Sequence, residues 1–144
     1  MPTPRRRDQD LGSIIVVVAT DPPVLPHQLK RVARRVSLGL GRNGSTSGNG
    51  SGDIFVAFST ANREAARNDS GTAGAELLPN DKLDPLFMAT VQATEEAIVN
   101  AMVAADTMTG AAGATVYALP HDRLQQILRK YNRLELVAAS AGQR

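Results

Sequence analysis

Residues 14–20 read Ile-Ile-Val-Val-Val-Ala-Thr, and residues 54–58 read Ile-Phe-Val-Ala-Phe. Both are short, continuous apolar runs, and the first is β-branched from Ile14 to Val18. Such runs predict strands buried on both faces. Asp21-Pro22-Pro23 ends the first, because proline cannot donate to a ladder and restricts the residue before it. Leu25, Leu29, Val32 and Val36 then recur at spacings of one helical face, with Lys30, Arg31, Arg34 and Arg35 on the others. That helix is expected to end into residues 38–53 (LGLGRNGSTSGNGSGD), rich in glycine and hydroxyl residues from Gly41 to Gly52, which run straight into the second strand.

Further along, residues 62–80 are polar and punctuated, reading as a loop or a short helical turn. Asp84-Pro85 is an N-cap followed by proline at the first helical position. The helix it opens is predicted to reach about Thr107, with Phe87, Val91, Ile98, Met102 and Ala105 among its apolar positions. Gly110 and Gly113 break it, Thr115–Leu119 reads as a short strand, and Pro120 opens a last helix with Leu124, Ile127, Leu128 and Tyr131 on one face. The order is β-α-β-α-β-α, without an internal repeat, and the class is α/β. Residues 1–12 hold an arginine cluster and no periodicity, and read as a mobile arm. The tail from Ser140 reads as frayed.

Composition narrows the functional classes. The 144 residues are 42% hydrophobic and 21% charged, with a formal net charge of +2. The absence of cysteine excludes a disulfide scaffold, a thiolate zinc site and a cysteine nucleophile. With only 3% aromatic residues there is no stacking platform for single-stranded nucleic acid, and with Arg5, Arg6 and Arg7 grouped in the first seven residues and 16 Lys+Arg against 14 Asp+Glu, a sequence-wide basic footprint is lacking. No apolar run approaches the roughly 20 residues of a membrane span. Asp8 and Asp10 intrude between the arginines and the apolar run, which argues against a secretory signal and for a cytoplasmic chain.

Two places carry chemistry. Gly12-Ser13 precedes the first strand, where a plain turn is the ordinary reading. Cleavage between the two residues would give Ser13 both a hydroxyl and a free α-amine, whose ordinary pKa of roughly 7.7–8.0 suits a base. Ser51-Gly52-Asp53 stands at the mouth of the second strand. Its serine can hydrogen-bond a substrate oxygen or an amine, and its aspartate can hold a cation or orient a base; an Asx or Ser turn is the ordinary alternative. The glycine-rich stretch lacks the spacing of a phosphate loop and leads into a strand, not a helix. His27 and His121 lack metal-ligand spacing, and Glu95 and Glu96 diverge by about 100° on a helix, so they form no carboxylate pair.

Taken together, GSIIVVVATDPPVLPHQLKRVARR, SGNGSGDIFVAFSTAN and ATEEAIVNAMVAADTMTG…LPHDRLQQIL resemble the β-chain region of the DmpA-type aminopeptidases. This family of L-aminopeptidase/D-esterases includes the β-peptidyl aminopeptidases. The resemblance spans about residues 11–133. It implies a four-layer αββα sandwich similar to the N-terminal-nucleophile hydrolases, and a precursor that cleaves itself before a serine. By position, Ser13 matches the nucleophile, Gly12-Ser13 the scissile bond, and Ser51 and Asp53 the family's Ser-Gly-Asp/Glu pair.

The resemblance further implies release of N-terminal residues from short peptides, amides or esters through an acyl-enzyme, with no cofactor and no metal. It also implies an α-chain partner and a homo-oligomer, with neither nucleic acid nor membrane as partner. Residues 13–144 would be the catalytic domain and residues 1–12 the end of the α part. Most of the family's α chain, which supplies a tyrosine and an asparagine for oxyanion stabilisation, has no counterpart in the sequence. Ala111-Ala112 stand where relatives usually carry polar residues. The competing expectations are an inactive remnant and a non-enzymatic α/β interaction module.

Overall fold

The computed structural model describes residues 12–66 and 71–135, so most of the expected arm and the tail fall outside the described residues. The chain divides into two units, Met1–Val99 and Asn100–Arg144.

The first unit is built on a parallel strand pair. β1 (Ile15–Thr20) lies beside β2 (Ile54–Ser59) in the register Ile15↔Ile54 through Thr20↔Ser59. The crossover between them contains α1 (Pro26–Ala33) and α2 (Val36–Arg42). The expected single helix is therefore broken at Arg34-Arg35, although Val32 and Val36 both remain fully buried. Helix continues through Leu38-Gly39-Leu40-Gly41, which sequence composition assigns to the loop. Tertiary contact overrides the glycine penalty here: Gly39 lies against Thr94 and Val91, where no side chain would fit.

Pro26 occupies the first turn of α1, where its missing N–H costs no hydrogen bond. Gln28 completes the cap: its Oε1 accepts from the Leu25 amide at 3.0 Å. The same side chain is fully buried, and its Nε2 donates to the Leu78 carbonyl at 2.8 Å and to Asn80 Oδ1 at 3.1 Å. One glutamine thus ties the start of α1 to the segment that leads into α3 (Asp84–Ala104). The core consists of Val24, Val32, Leu83 and Phe87, with Val18 and Ala57 of the sheet packed against it. Arg35 stacks on the Phe87 ring, its guanidinium carbon 4.0 Å from the centroid.

The strands alternate between half-buried and exposed positions, so only one sheet face is covered. Ile15, Val17, Ile54, Val56 and Phe58 line the other face and are between 45% and 70% exposed. The expectation of strands buried on both faces is thus not met among the described residues. The apolar run is present, but helices cover one side only.

In the second unit, β3 (Met108–Thr109) pairs antiparallel with β4 (Thr115–Val116). Residues 115–119 therefore contribute a two-residue strand to a separate hairpin instead of a third strand beside β1 and β2. Ala112 and Gly113 turn the hairpin with positive φ, 56° and 74°. α4 (His121–Lys130) follows, and every described residue from Asn100 onward is exposed or half-buried. No helix among the described residues is long and apolar enough to cross a membrane.

Candidate active site

The strand register generates the site. Continued three residues back from each strand's first residue, the pairing that sets Ile15 opposite Ile54 brings residues 12–14 alongside residues 51–53. Each side-chain contact between the two segments keeps that offset. The Asp53 carboxylate accepts from the Ile14 amide at 3.3 Å. The Gly52 amide donates to Ser13 Oγ at 2.9 Å. Ser51 Oγ lies 2.7 Å from the Gly12 carbonyl oxygen and 2.6 Å from Asp53 Oδ1. The ladder itself begins immediately beyond, with the Ile54 amide donating to the Ile14 carbonyl at 2.9 Å.

Side-chain oxygens therefore occupy positions where a longer strand would place backbone groups. Glycine at 52 has a steric reason. A β-carbon there would stand 3.2 Å from Ser13 Oγ, inside ordinary contact distance. Ser13 and Gly12 are exposed, and Ser51 and Asp53 are half-buried.

The Asp53 carboxyl titrates below its ordinary value, chiefly because the Ser51 hydroxyl donates to the charged form. Partial burial opposes this, while the Ser47 hydroxyl and the Ile14 amide add to it. Ser47 belongs to the turn that delivers the triplet. It adopts a positive φ of 46°, and its amide donates to Ser45 Oγ at 3.2 Å.

The four residues singled out from sequence, Gly12, Ser13, Ser51 and Asp53, thus meet at one place. The sequence pattern assigns no role to the Gly52 amide. Its signal was the matched position of Gly12-Ser13 and Ser51-Gly52-Asp53 at the mouths of two strands. The other candidates lie elsewhere. His27 is exposed, and His121 Nε2 sits 2.8 Å from the Val103 carbonyl. Glu95 pairs with Arg42 at 3.0 Å on the surface, while Glu96 is exposed. No cluster of metal-ligating side chains occurs among the described residues.

Chemically, the arrangement holds the Ser13 hydroxyl against a hydrogen-bond donor. A second hydroxyl lies on the carbonyl immediately before it, and a carboxylate lies behind that hydroxyl. Comparison with solved structures adds the class. The chain aligns with the L-aminopeptidase D-Ala-esterase/amidase of Ochrobactrum anthropi, described as a prototype for the serine aminopeptidases and a variant of the Ntn hydrolase fold. The TM-score is 0.78 at 49% identity, covering 90% of this chain and 38% of that one. A Burkholderia β-aminopeptidase aligns with a TM-score of 0.71 at 42% identity, over 87% of this chain and 36% of that one. The fold is thus part of an Ntn-hydrolase variant, as the resemblance implied.

The family model for peptidase family S58 matches residues 2–116, and this chain belongs to that family of DmpA-type aminopeptidases. The β-peptidyl aminopeptidase BapA of Sphingosinicella microcystinivorans is 58% identical over 123 residues. The match covers 85% of this chain and 31% of that protein, so the chain spans about a third of its relative's length.

Proposed function

We propose that this chain carries the catalytic part of a serine aminopeptidase that first cleaves itself between Gly12 and Ser13. Ser13 Oγ attacks the Gly12 carbonyl carbon, giving up its hydrogen, and the C–N bond breaks as that proton passes to the serine nitrogen. Residue 12 is then held as an ester on Ser13. Water hydrolyses that ester, leaving the Gly12 carboxylate and a Ser13 with free hydroxyl and free amine.

The freed serine then turns over substrate. Its amine accepts the hydroxyl proton as Oγ attacks the carbonyl of a substrate's N-terminal residue, and returns it to the departing amine or alcohol. Water releases the acyl group and restores the hydroxyl. Short peptides, amides and esters are the substrate class. Ser51 and Asp53 position the amine and hydroxyl, and the Gly52 amide steadies Oγ. The observation that carries this reading is the 2.9 Å contact from the Gly52 amide to Ser13 Oγ, with Ser51 on the preceding carbonyl.

A partner belongs to the same proposal. The uncovered apolar face of β1 and β2 suits a second sheet supplied by an α part, and the assembled enzyme would be a homo-oligomer. That face also favours the rival reading, a non-enzymatic module that binds another chain through it. Intact mass before and after incubation tests the self-cleavage, and turnover of an amino-acid p-nitroanilide tests the second step. Ser13→Ala should abolish both. Cleavage persisting in that variant would remove Ser13 from the mechanism, and a chain that neither cleaves nor turns over substrate would support the module.

A further inference from the structure

Four basic residues of the first crossover, Lys30, Arg31, Arg34 and Arg35, take no part in the chemistry at Ser13, and the fold sorts them into two kinds. Lys30 and Arg34 are exposed, whereas Arg31 and Arg35 are half-buried and turn to a single ring. Their guanidinium carbons stand 5.1 Å and 4.0 Å from the centroid of Phe87, itself a core residue. Each is fixed through one nitrogen. Arg31 Nη1 donates to Asn80 Oδ1 at 3.0 Å, and Arg35 Nη1 donates to the Arg31 carbonyl at 3.3 Å. No side-chain nitrogen of the described residues is left buried without a partner, so the other N–H groups of both guanidiniums face solvent.

Both charges lie within 5.1 Å of one centroid, closer together than the ~10 Å Debye length at 0.1 M salt, so each raises the potential at the other. Among the described residues neither arginine has a carboxylate partner, while the neighbouring Arg42 is matched by Glu95 at 3.0 Å. Arg35 and Phe87 also border an open groove of about 660 Å³, lined from α2 and α3. That volume is in the range of small-ligand sites. The groove is apolar along Leu38, Met88 and Val91, and Leu38 and Met88 are 58% and 53% exposed. Asp84 stands at the same groove. With Arg42 matched by Glu95, Arg31 and Arg35 against Asp84 leave one positive charge, which a monoanion cancels.

We infer that this groove binds a small carboxylate with an apolar tail: the carboxylate pairs with Arg35, Arg31 adds its charge at the same ring, and the tail covers Leu38, Met88 and Val91. A planar guanidinium offers parallel N–H donors that match the two oxygens of a carboxylate. Arg35 is already oriented by Phe87 and by the Arg31 carbonyl, so little side-chain entropy is lost on binding. The tail removes exposed apolar surface from water. A dianion would leave an excess negative charge beside Asp84, and a neutral ligand would leave the arginines unmatched. The inference goes beyond the aminopeptidase reading and does not depend on it.

The test titrates the full chain with octanoate and with acetyl-leucyl-leucine, a fatty carboxylate and a peptide C-terminus, following the amide signals by 1H–15N NMR. Their neutral counterparts, octan-1-ol and acetyl-leucyl-leucinamide, run beside them. The expected result is a saturable shift of signals at residues 35–42 and 84–91 with a carboxylate, and binding weaker by about tenfold or more for its neutral counterpart. The tighter of the two carboxylates identifies the source of the ligand. Arg35→Gln should weaken binding by about tenfold or more, and Arg31→Gln by about two- to fivefold. Because Arg35 also supports Phe87, circular dichroism checks the fold, and a variant of opposite sign is added. Asp84→Asn, which keeps a capping side chain, should tighten binding by about two- to fivefold. The inference is overturned if neither carboxylate binds, if the neutral counterparts bind equally, or if Arg35→Gln and Asp84→Asn leave the affinity unmoved. Neither cleavage nor turnover enters these measurements, so an inert chain defeats the aminopeptidase reading alone.

Discussion

Gly39→Ala offers a test of the packing beneath the site. A β-carbon at position 39 would lie 2.6 Å from Thr94 Cβ, 2.8 Å from the Val91 carbonyl oxygen and 2.9 Å from Thr94 Cγ2. Neither a backbone carbonyl nor a β-carbon can rotate aside, and Thr94 is further held by its hydroxyl, which donates to the Thr90 carbonyl at 2.8 Å. α2 must therefore back away from α3 by roughly half an ångström or more in a close-packed interior. Overpacking of this kind costs about 1–3 kcal/mol, and the rigidity of both obstacles argues for the upper end. Alanine's better helix propensity returns about 1 kcal/mol. The net expectation is a loss of about 2 kcal/mol, or a fall in Tm of roughly 5–10 °C.

Gly41→Ala is the matched control. It lies in the same helix with nothing within 4 Å of its would-be β-carbon. It should stabilise by up to about 1 kcal/mol. Urea unfolding of both variants beside the parent, with unchanged m-values, is the assay. Gly39→Ala at parental stability, or both variants moving in the same direction, would refute the close-approach argument. The contact also matters for the site. Asn43 Nδ2 spans from the Gly39 carbonyl at 3.2 Å to the Glu95 carbonyl at 3.5 Å, at the point where the chain leaves α2 for the Ser51 turn.

Three further outcomes are expected. Gly52→Ala would set a β-carbon 3.2 Å from Ser13 Oγ and displace that hydroxyl by a few tenths of an ångström. Cleavage followed by intact mass should slow by roughly tenfold with Tm unchanged, and a parental rate would remove the steric argument. Gln28→Leu keeps the shape but leaves the Leu25 amide and the Leu78 carbonyl without their buried partner, for a cost of about 2–4 kcal/mol in chemical denaturation. A loss below about 1 kcal/mol would mean that water replaces the amide. Because the folded Asp53 carboxyl titrates below its ordinary 3.8, the stability it contributes is present above that value and is lost as pH falls through the folded value. Asp53→Asn should therefore be less stable than the parent near neutrality and converge on it in acid, and a gap independent of pH would contradict the sign.

The amino-acid sequence determines the local pieces of this protein. Two apolar runs make strands, Asp21-Pro22-Pro23 ends the first, Pro26 and Asp84-Pro85 open helices, and Gly12-Ser13 and Ser51-Gly52-Asp53 stand at the strand mouths. These follow from nearest-neighbour sterics and from apolar spacing, which act within a few residues. What the tertiary structure decided is everything that depends on distant partners. The helix through Leu38–Gly41 exists because α3 receives Gly39, and Gln28 is buried because residues 78–80 return to meet it. The sheet is covered on one side because the helices lie on one side, which no count of apolar residues in a strand reveals. The site is the clearest case. Ser13 and Ser51 are ordinary turn residues until the parallel register of β1 and β2 carries residues 12–14 onto residues 51–53. Register is a long-range choice set by side-chain burial across the sheet, so it lies beyond any window read along the chain.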